Sequence, residues 1–175
     1  MRLAGAAEEG PAAELVRARR GGQLSDLDRL LLHSPPVAEG WNALLGALRS
    51  GTTLPGDVRE LVVLRIAVLN GAAFEWAAHE PIGRREGLTD AQVDALRADD
   101  AQHAPVWTPL QAAALAWTDA ATRAVAVPDE VFAAAREHLD DRGLVELAVL
   151  TAGYAMVSRV LVAFDVPPPA GEVRG

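Results

Sequence analysis

Two long segments are apolar on nearly every helical face, and this feature constrains the fold of the chain more than any other. One covers residues 55–69 and the other covers residues 143–164. A helix that is apolar all round must be buried against other elements. No segment shows the regular alternation of apolar and polar residues that is typical of strands. The sequence therefore predicts an all-α fold with these two helices in its core.

Capping and helix-breaking residues divide the rest of the chain into shorter helices. Ser25, Thr89 and Thr108 are typical N-caps, and glycines such as Gly71 and Gly87 are typical helix stops. Residues 1–22 are rich in Gly, Ala, Glu and Arg and are expected to form a loosely ordered arm with at most one short helix, at 12–19. Residues 23–166 are predicted to form a single-domain bundle of about eight helices. The proline-rich residues 167–175 are predicted to be a disordered tail.

Composition excludes several classes of function. The chain has 175 residues and a formal net charge of −8, with no basic block beyond residues 17–20, so nucleic acid is not an expected partner. We find no signal peptide and no apolar run of the roughly 18 residues that a membrane span needs. A cytoplasmic protein without membrane contact is expected. The abundance of Ala, Arg and Gly suggests a bacterium with a GC-rich genome.

The absence of cysteine is equally restrictive. With no cysteine in the sequence, disulfides, thiolate catalysis, iron–sulfur clusters and cysteine-based zinc sites are all excluded. A metal site built from His33, His79 and carboxylates would remain possible in principle. Because no known metal-ligand spacing is present, we expect neither a metal nor a cofactor.

A carboxylate and an imidazole lie four residues apart in the segment from Glu75 to His79. Residues at this spacing share one face of a helix, so the two side chains can interact and carry out acid–base chemistry. Trp76 and the neighbouring Phe74 could form the wall of a pocket for a flat substrate. A further carboxylate, Glu60, lies in the preceding apolar helix. The alternative for each is a solvated helix face or ordinary core packing.

An anionic substrate would also need a cation, and the sequence leaves that choice open. The candidates are Arg65, Arg84, Arg85 and Arg159. His33, which precedes two prolines, could line the pocket or simply end a helix.

Several of these segments together resemble a known family. They are His33-Ser34-Pro35, Trp41-Asn42, Arg59-Glu60-Leu61-Val62-Val63-Leu64-Arg65, Glu75-Trp76, His79-Glu80-Pro81, Gly87-Leu88, Tyr154 and Ser158-Arg159. Over about residues 12–168 the chain resembles the carboxymuconolactone decarboxylase family, which also contains the alkylhydroperoxidase D proteins. The resemblance implies an alkylhydroperoxidase D-like helical fold that assembles as trimers, hexamers or other homo-oligomers.

The resemblance also shows what is missing. Members of the peroxidase branch carry a glutamate, then Cys-x-x-Cys, then a histidine. Here the glutamate and histidine correspond to Glu60 and His79, while Ala72 and Glu75 occupy the two cysteine positions. Thiol peroxidase chemistry requires both sulfurs. The retained Glu/His frame is therefore expected to serve another reaction.

The leading hypothesis is a cofactor-free lyase of aromatic compound catabolism that acts on a small unsaturated lactone or ring carboxylate. Its catalytic residues would be His79, Glu75 and Glu60, and its substrate-binding residues Trp76, Phe74, Arg65, Arg159 and His33. A hydrolase, isomerase or cyclase of secondary metabolism that uses the same Glu/His pair is one alternative. A non-catalytic oligomer that binds a small ligand is the other.

Overall fold

The helices of this chain begin and end largely where the sequence predicts. The computed structural model describes residues 1–5 and 8–169. Within those residues the chain forms one short 3₁₀ helix, Ala101–His103, and nine α-helices. The α-helices are α1 Pro11–Arg19, α2 Asp26–Leu31, α3 Pro35–Ser50, α4 Gly56–Leu69, α5 Ala73–Arg85, α6 Asp90–Ala95, α7 Pro109–Ala124, α8 Asp129–Arg136 and α9 Asp141–Ala163. The described residues contain no strand, and the predicted all-α class is confirmed.

The predicted caps form as expected. Ser25, Thr89 and Thr108 each accept a hydrogen bond from the backbone N–H three residues later, and each helix start has a complete capping box. Such caps satisfy backbone donors that have no partner within the helix, at about 1 kcal/mol each.

Helix α4 is the centre of the bundle. It packs against α5, α7 and α9, and its middle residues from Leu61 to Ala67 are almost completely buried. The turn to α5 includes Gly71, whose φ of 65° is a left-handed conformation that favours glycine. Farther along α5, Gly83 allows the two helices to approach closely, since a Cβ at this position would lie 3.2 Å from Leu64 Cδ1. This close packing brings the polar residues of α4 and α5 together.

The N-terminal segment differs from the expected loose arm. Helix α1 packs on α3 and buries Ala12, Ala13 and Val16 in a small second core with Leu24, Leu32 and Ala38. The sequence understated this order because α1 is short and flanked by glycines. Residues 167–169 have no regular structure, and the rest of the predicted tail, 170–175, lies outside the described residues.

Helix α9 is long and apolar enough to cross a membrane, by length and composition alone. This differs from the expectation that no segment reaches that threshold. Half of the residues in its most apolar 18-residue stretch are buried inside the protein, and the core helix of a soluble protein meets the same criterion. We therefore treat α9 as a core helix.

Candidate active site

A buried carboxylate–imidazole pair joins α4 to α5. His79 Nδ1 lies 2.7 Å from Glu60 Oε2, and both side chains are less than one-tenth exposed. This contact fixes the orientation of the imidazole ring. Among the described residues, none forms a hydrogen bond with Nε2, the other ring nitrogen of His79. His79 therefore has one nitrogen held by Glu60 and one nitrogen free to exchange a proton.

Glu75 is a second buried carboxyl group, one helical turn before His79. It is 1% exposed, and neither of its oxygens has a hydrogen-bond partner among the described residues. Burial raises the pKa of Glu75 well above its ordinary value; nearby Arg49 opposes this effect and Glu60 adds to it. A buried carboxyl without partners favours its neutral form, because ionising it in a low-dielectric surrounding is costly.

Two further helices complete the site. Tyr154 of α9 places its ring perpendicular to the His79 imidazole, with the ring centroids 5.3 Å apart. Its hydroxyl oxygen accepts a hydrogen bond of 3.0 Å from Nε of Arg49, which lies on α3. Burial raises the pKa of Tyr154, and Arg49 partly offsets the increase. We call Glu60, Glu75, His79, Arg49 and Tyr154 the polar cluster.

The sequence did not identify Arg49 or assign Tyr154 a role. Tyr154 is the only tyrosine in the chain and lies in an apolar helix, so its hydroxyl group needs a buried partner. That requirement could have marked Tyr154 as a residue with a buried polar partner. Arg49 follows the buried Leu48 near the end of α3, but nothing in its local sequence points toward Glu75 or His79.

Glu75 does not orient the imidazole, although its position four residues before His79 places both side chains on one helix face. The hydrogen-bond partner of His79 Nδ1 is Glu60 instead.

The two aromatic residues expected to form the pocket wall, Trp76 and Phe74, have other surroundings. The Trp76 indole N–H donates to Glu80 Oε2 at 2.9 Å, and the Arg97 guanidinium stacks 3.9 Å from the centre of a Trp76 ring. Phe74 is buried in the main hydrophobic core. The contacts of Trp76 are thus with Glu80 and Arg97, outside the Glu60–His79 pair.

The other three expected substrate-binding residues form no hydrogen bond with the polar cluster among the described residues. Arg65 has no exposed surface and is fully bonded, to both carboxylate oxygens of Asp119 and to the carbonyls of Leu96, Ala98 and Asp99. This network is structural, and it corrects the substrate-binding role expected for Arg65. Arg159 is exposed on α9, and exposed His33 bonds through Nε2 to the Ala4 carbonyl at 2.8 Å.

No cluster of three or more His, Asp or Glu side chains with the arrangement of a metal site occurs in residues 1–5 and 8–169. A wide surface depression of about 490 Å³ lies at the turn between α8 and α9, lined by residues from Arg136 to Arg142. It includes no member of the polar cluster. The chemistry is concentrated in the polar cluster, which has the buried titratable groups.

The raised pKa of Glu75 predicts how stability changes with pH. Above the ordinary carboxyl pKa the unfolded chain releases this proton, while the folded chain retains it up to the higher folded pKa. Stability therefore falls as pH rises through this window. Glu75→Gln removes the titration, so its free energy of unfolding should increase relative to the wild type as the pH rises above the ordinary carboxyl range. Urea denaturation at several pH values measures this difference. The same change at exposed Glu39 should show no such trend, and parallel curves for Glu75→Gln and the wild type would contradict the assignment.

Comparison with known proteins agrees with this architecture. Residues 35–130 match the model of the Carboxymuconolactone decarboxylase family. The uncharacterized protein YdfG of Bacillus subtilis is 29% identical over 107 residues, which are 60% of this chain and 71% of YdfG.

Solved structures share the fold. A protein of unknown function from Agrobacterium tumefaciens has a TM-score of 0.74 at 26% identity, covering 81% of this chain and 97% of that protein. The debrominase Bmp8, in complex with 2,3,4-tribromopyrrole, has a TM-score of 0.75 at 18% identity, covering 91% and 84%. An alkylhydroperoxidase AhpD core protein from Ralstonia eutropha reaches 0.77 at 21% identity, covering 90% and 85%. The last two likenesses concern the fold alone. The matched family model spans more than half of the chain, so this protein belongs to the carboxymuconolactone decarboxylase family.

Proposed function

We propose that this chain is a thiol-free carboxy-lyase that acts on a small unsaturated lactone or ring carboxylate by acid–base catalysis. The observation that carries the proposal is the buried Glu60–His79 pair beside the unpartnered carboxyl of Glu75. Perturbed titratable groups concentrated in one buried place are typical of catalytic sites. Membership of the family favours a decarboxylase among acid–base enzymes.

Decarboxylation of such a substrate requires two functional groups from the protein, a hydrogen-bond donor and an acid. The bond between the ring carbon and the carboxylate breaks, carbon dioxide leaves, and the electron pair remains on the ring. The adjacent unsaturation moves this pair to the lactone carbonyl, which becomes an enolate oxygen. A hydrogen-bond donor must stabilise that oxygen, and an acid must then deliver a proton to carbon.

The polar cluster contains a side chain suited to each of these two roles. His79, held by Glu60 through Nδ1, delivers the proton from Nε2 and recovers it from solvent after each turnover. Glu75, whose raised pKa favours the protonated form, donates a hydrogen bond to the developing enolate oxygen. A carboxyl kept neutral in an apolar site is an effective donor of this kind.

The test is turnover of a carboxymuconolactone substrate in deuterated buffer. The expected result is loss of ultraviolet absorbance, release of carbon dioxide and incorporation of one deuterium atom into the product at carbon. Glu75→Gln is the matched variant, because it keeps the shape of the side chain and replaces the acidic O–H donor with a weaker amide N–H donor; its turnover should be lower than that of the wild type. Release of carbon dioxide at the rate of a protein-free control would reject the lyase assignment and favour the isomerase or binding alternatives.

The missing sulfurs lead to a redox prediction. Because Ala72 and Glu75 occupy the positions where the peroxidase branch has cysteines, we expect no thiol-dependent hydroperoxide reduction. The measurement is consumption of an organic hydroperoxide with dithiothreitol as reductant. Steady consumption above the rate of reductant alone would contradict this expectation.

We also propose that the chain forms a homo-oligomer through an apolar stripe on α9. Val145, Val149 and Met156 are all at least 36% exposed. They are separated by four and seven residues, the spacing that places side chains along one side of a helix. Such a continuous exposed apolar stripe is characteristic of an interface.

Light scattering at micromolar concentration tests this proposal. We expect the mass of a closed assembly such as a trimer or hexamer for the wild type, and a smaller mass for the double variant Val145→Glu, Met156→Glu. Val37→Glu, on the exposed face of α3, is the control. A monomer mass for the wild type would refute the interface.

A further inference from the structure

Two further arginines lie near Arg49 of the polar cluster, and the sequence-based candidates include none of the three. Arg19 and Arg20 end helix α1, and Arg49 lies near the end of α3, against which α1 packs. We call these three residues the arginine cluster. Tyr154 influences the pKa of all three, so each of them lies in the neighbourhood of its hydroxyl group.

The arginine cluster has few carboxylates to balance it. Asp28 Oδ2 lies 2.6 Å from Arg20 Nε, although the two are poorly aligned for a hydrogen bond, and the same oxygen accepts from Ser25. Arg19 donates to the neutral amide of Asn42. Among the described residues, Asp28 is the one carboxylate in direct contact with the arginine cluster. A local excess of positive charge in an acidic protein indicates a place for an anion.

Burial and mutual repulsion act against the charge of Arg19 and Arg20. Burial acts on Arg49 in the same direction, but Tyr154, Glu60 and Asp28 outweigh it, and the pKa of Arg49 is raised. Burial, followed by repulsion from Arg20 and Arg49, lowers the pKa of Arg19 to about 10. Burial and Arg49 also lower the pKa of Arg20, with Asp28 acting in the opposite direction. A bound anion would relieve this repulsion.

Arg49 is the member that reaches the reacting groups. Its Nε donates to Tyr154, whereas Nη1 and Nη2 form no hydrogen bond or ion pair with the described residues. The two unpaired nitrogens can bind both oxygens of a carboxylate at once. Arg49 is also partly exposed, while the other four members of the polar cluster are buried. Arg49 is therefore the member of the polar cluster with the most surface open to solvent.

We propose that Arg49 is the specificity-determining residue that binds a carboxylate of the substrate, with Arg19 and Arg20 adding positive potential around it. This inference rests on the proposed function, because it places the bound ring next to Glu75 and His79.

The bound carboxylate is one that the substrate retains. A carboxylate that departs as carbon dioxide loses its charge, so a cation bound to it would stabilise the ground state more than the transition state and slow the reaction. An arginine holding a second, non-reacting carboxylate orients the ring without that penalty. The preferred substrates thus have an anionic group in addition to the reacting one.

Binding of a probe tests this without requiring turnover. The probe is 2-furoate, a small conjugated ring carboxylate, and its neutral counterpart is 2-furamide. Titration followed by NMR should show 2-furoate binding more tightly than 2-furamide to the wild-type protein, and more weakly as sodium chloride is added. Arg49→Met should reduce the affinity for 2-furoate by about 10–100-fold, as expected for loss of a charge-assisted pair. Arg49→Lys should recover part of it.

Arg136→Met, at an exposed arginine of α8, is the matched control and should bind 2-furoate like the wild type. Should Arg49→Met fail to fold by circular dichroism, Arg19→Gln provides the second variant, with an expected loss of a few-fold. Equal affinity for furoate and furamide, or equal affinity of the Arg49 and Arg136 variants, would overturn the proposal. In the lyase assay Arg49→Met should raise KM more than it lowers kcat. Turnover with an unchanged KM would overturn the role of Arg49 while leaving the lyase function intact.

Discussion

Replacing His79 with glutamine is expected to lower kcat by about 10²–10⁴-fold, the usual contribution of a general acid. Glutamine keeps the approximate size of the side chain and can still bond to Glu60, but it cannot transfer a proton from the position of Nε2. The loss should therefore appear in kcat and leave the fold unchanged. Turnover with the substrate identified by the lyase assay, together with circular dichroism, measures both.

Two further variants make the test specific. Glu60→Gln should lower kcat less than His79→Gln, because Glu60 only holds the imidazole through Nδ1. His33→Gln is the control, since His33 is exposed and bonds to a backbone carbonyl away from the polar cluster. A folded His79→Gln protein with wild-type turnover would reject the assignment, and Glu60 would become the first alternative.

Local sequence information was sufficient for most of the helices. The apolar faces of α4 and α9 required burial, and Ser25, Thr89 and Thr108 fixed helix starts within a residue or two. These features depend on neighbouring residues in the chain, so pattern and capping rules reach them. The family resemblance named Glu60 and His79 as one frame, and the short turn between their helices allows the contact, but the sequence did not choose between Glu60 and Glu75 as the partner of His79.

Long-range pairing explains what the sequence could not predict. Arg49 and Tyr154 are 105 residues apart, and their hydrogen bond depends on how α3 packs against α9. Arg65 has the same kind of partner in Asp119, 54 residues away, and this pairing removes it from the candidate cations. Local sequence does not distinguish an arginine that binds a substrate from one that bonds inside the core, because both are charged residues within apolar helices.

Replacing Arg65 with methionine is expected to destabilise the fold by about 3–5 kcal/mol. The guanidinium is fully buried and bonds to Asp119 through Nε and Nη2, at 2.6 and 2.7 Å. Removing it leaves the buried carboxylate of Asp119 without its main partner, and Arg123, at 3.8 Å, compensates only weakly. Breaking a buried pair from one side has a cost of this size. Urea denaturation of the variant measures it.

A double variant separates the structural role from a role in binding. Replacing both partners, Arg65→Met with Asp119→Leu, removes the unpaired charge and should recover much of the lost stability, although the carbonyls of Leu96, Ala98 and Asp99 still lose a donor. Both variants should keep the wild-type KM per folded molecule, because the guanidinium of Arg65 has no exposed surface with which to reach a substrate. A folded Arg65→Met protein of wild-type stability but raised KM would instead return Arg65 to the substrate site, in place of Arg49.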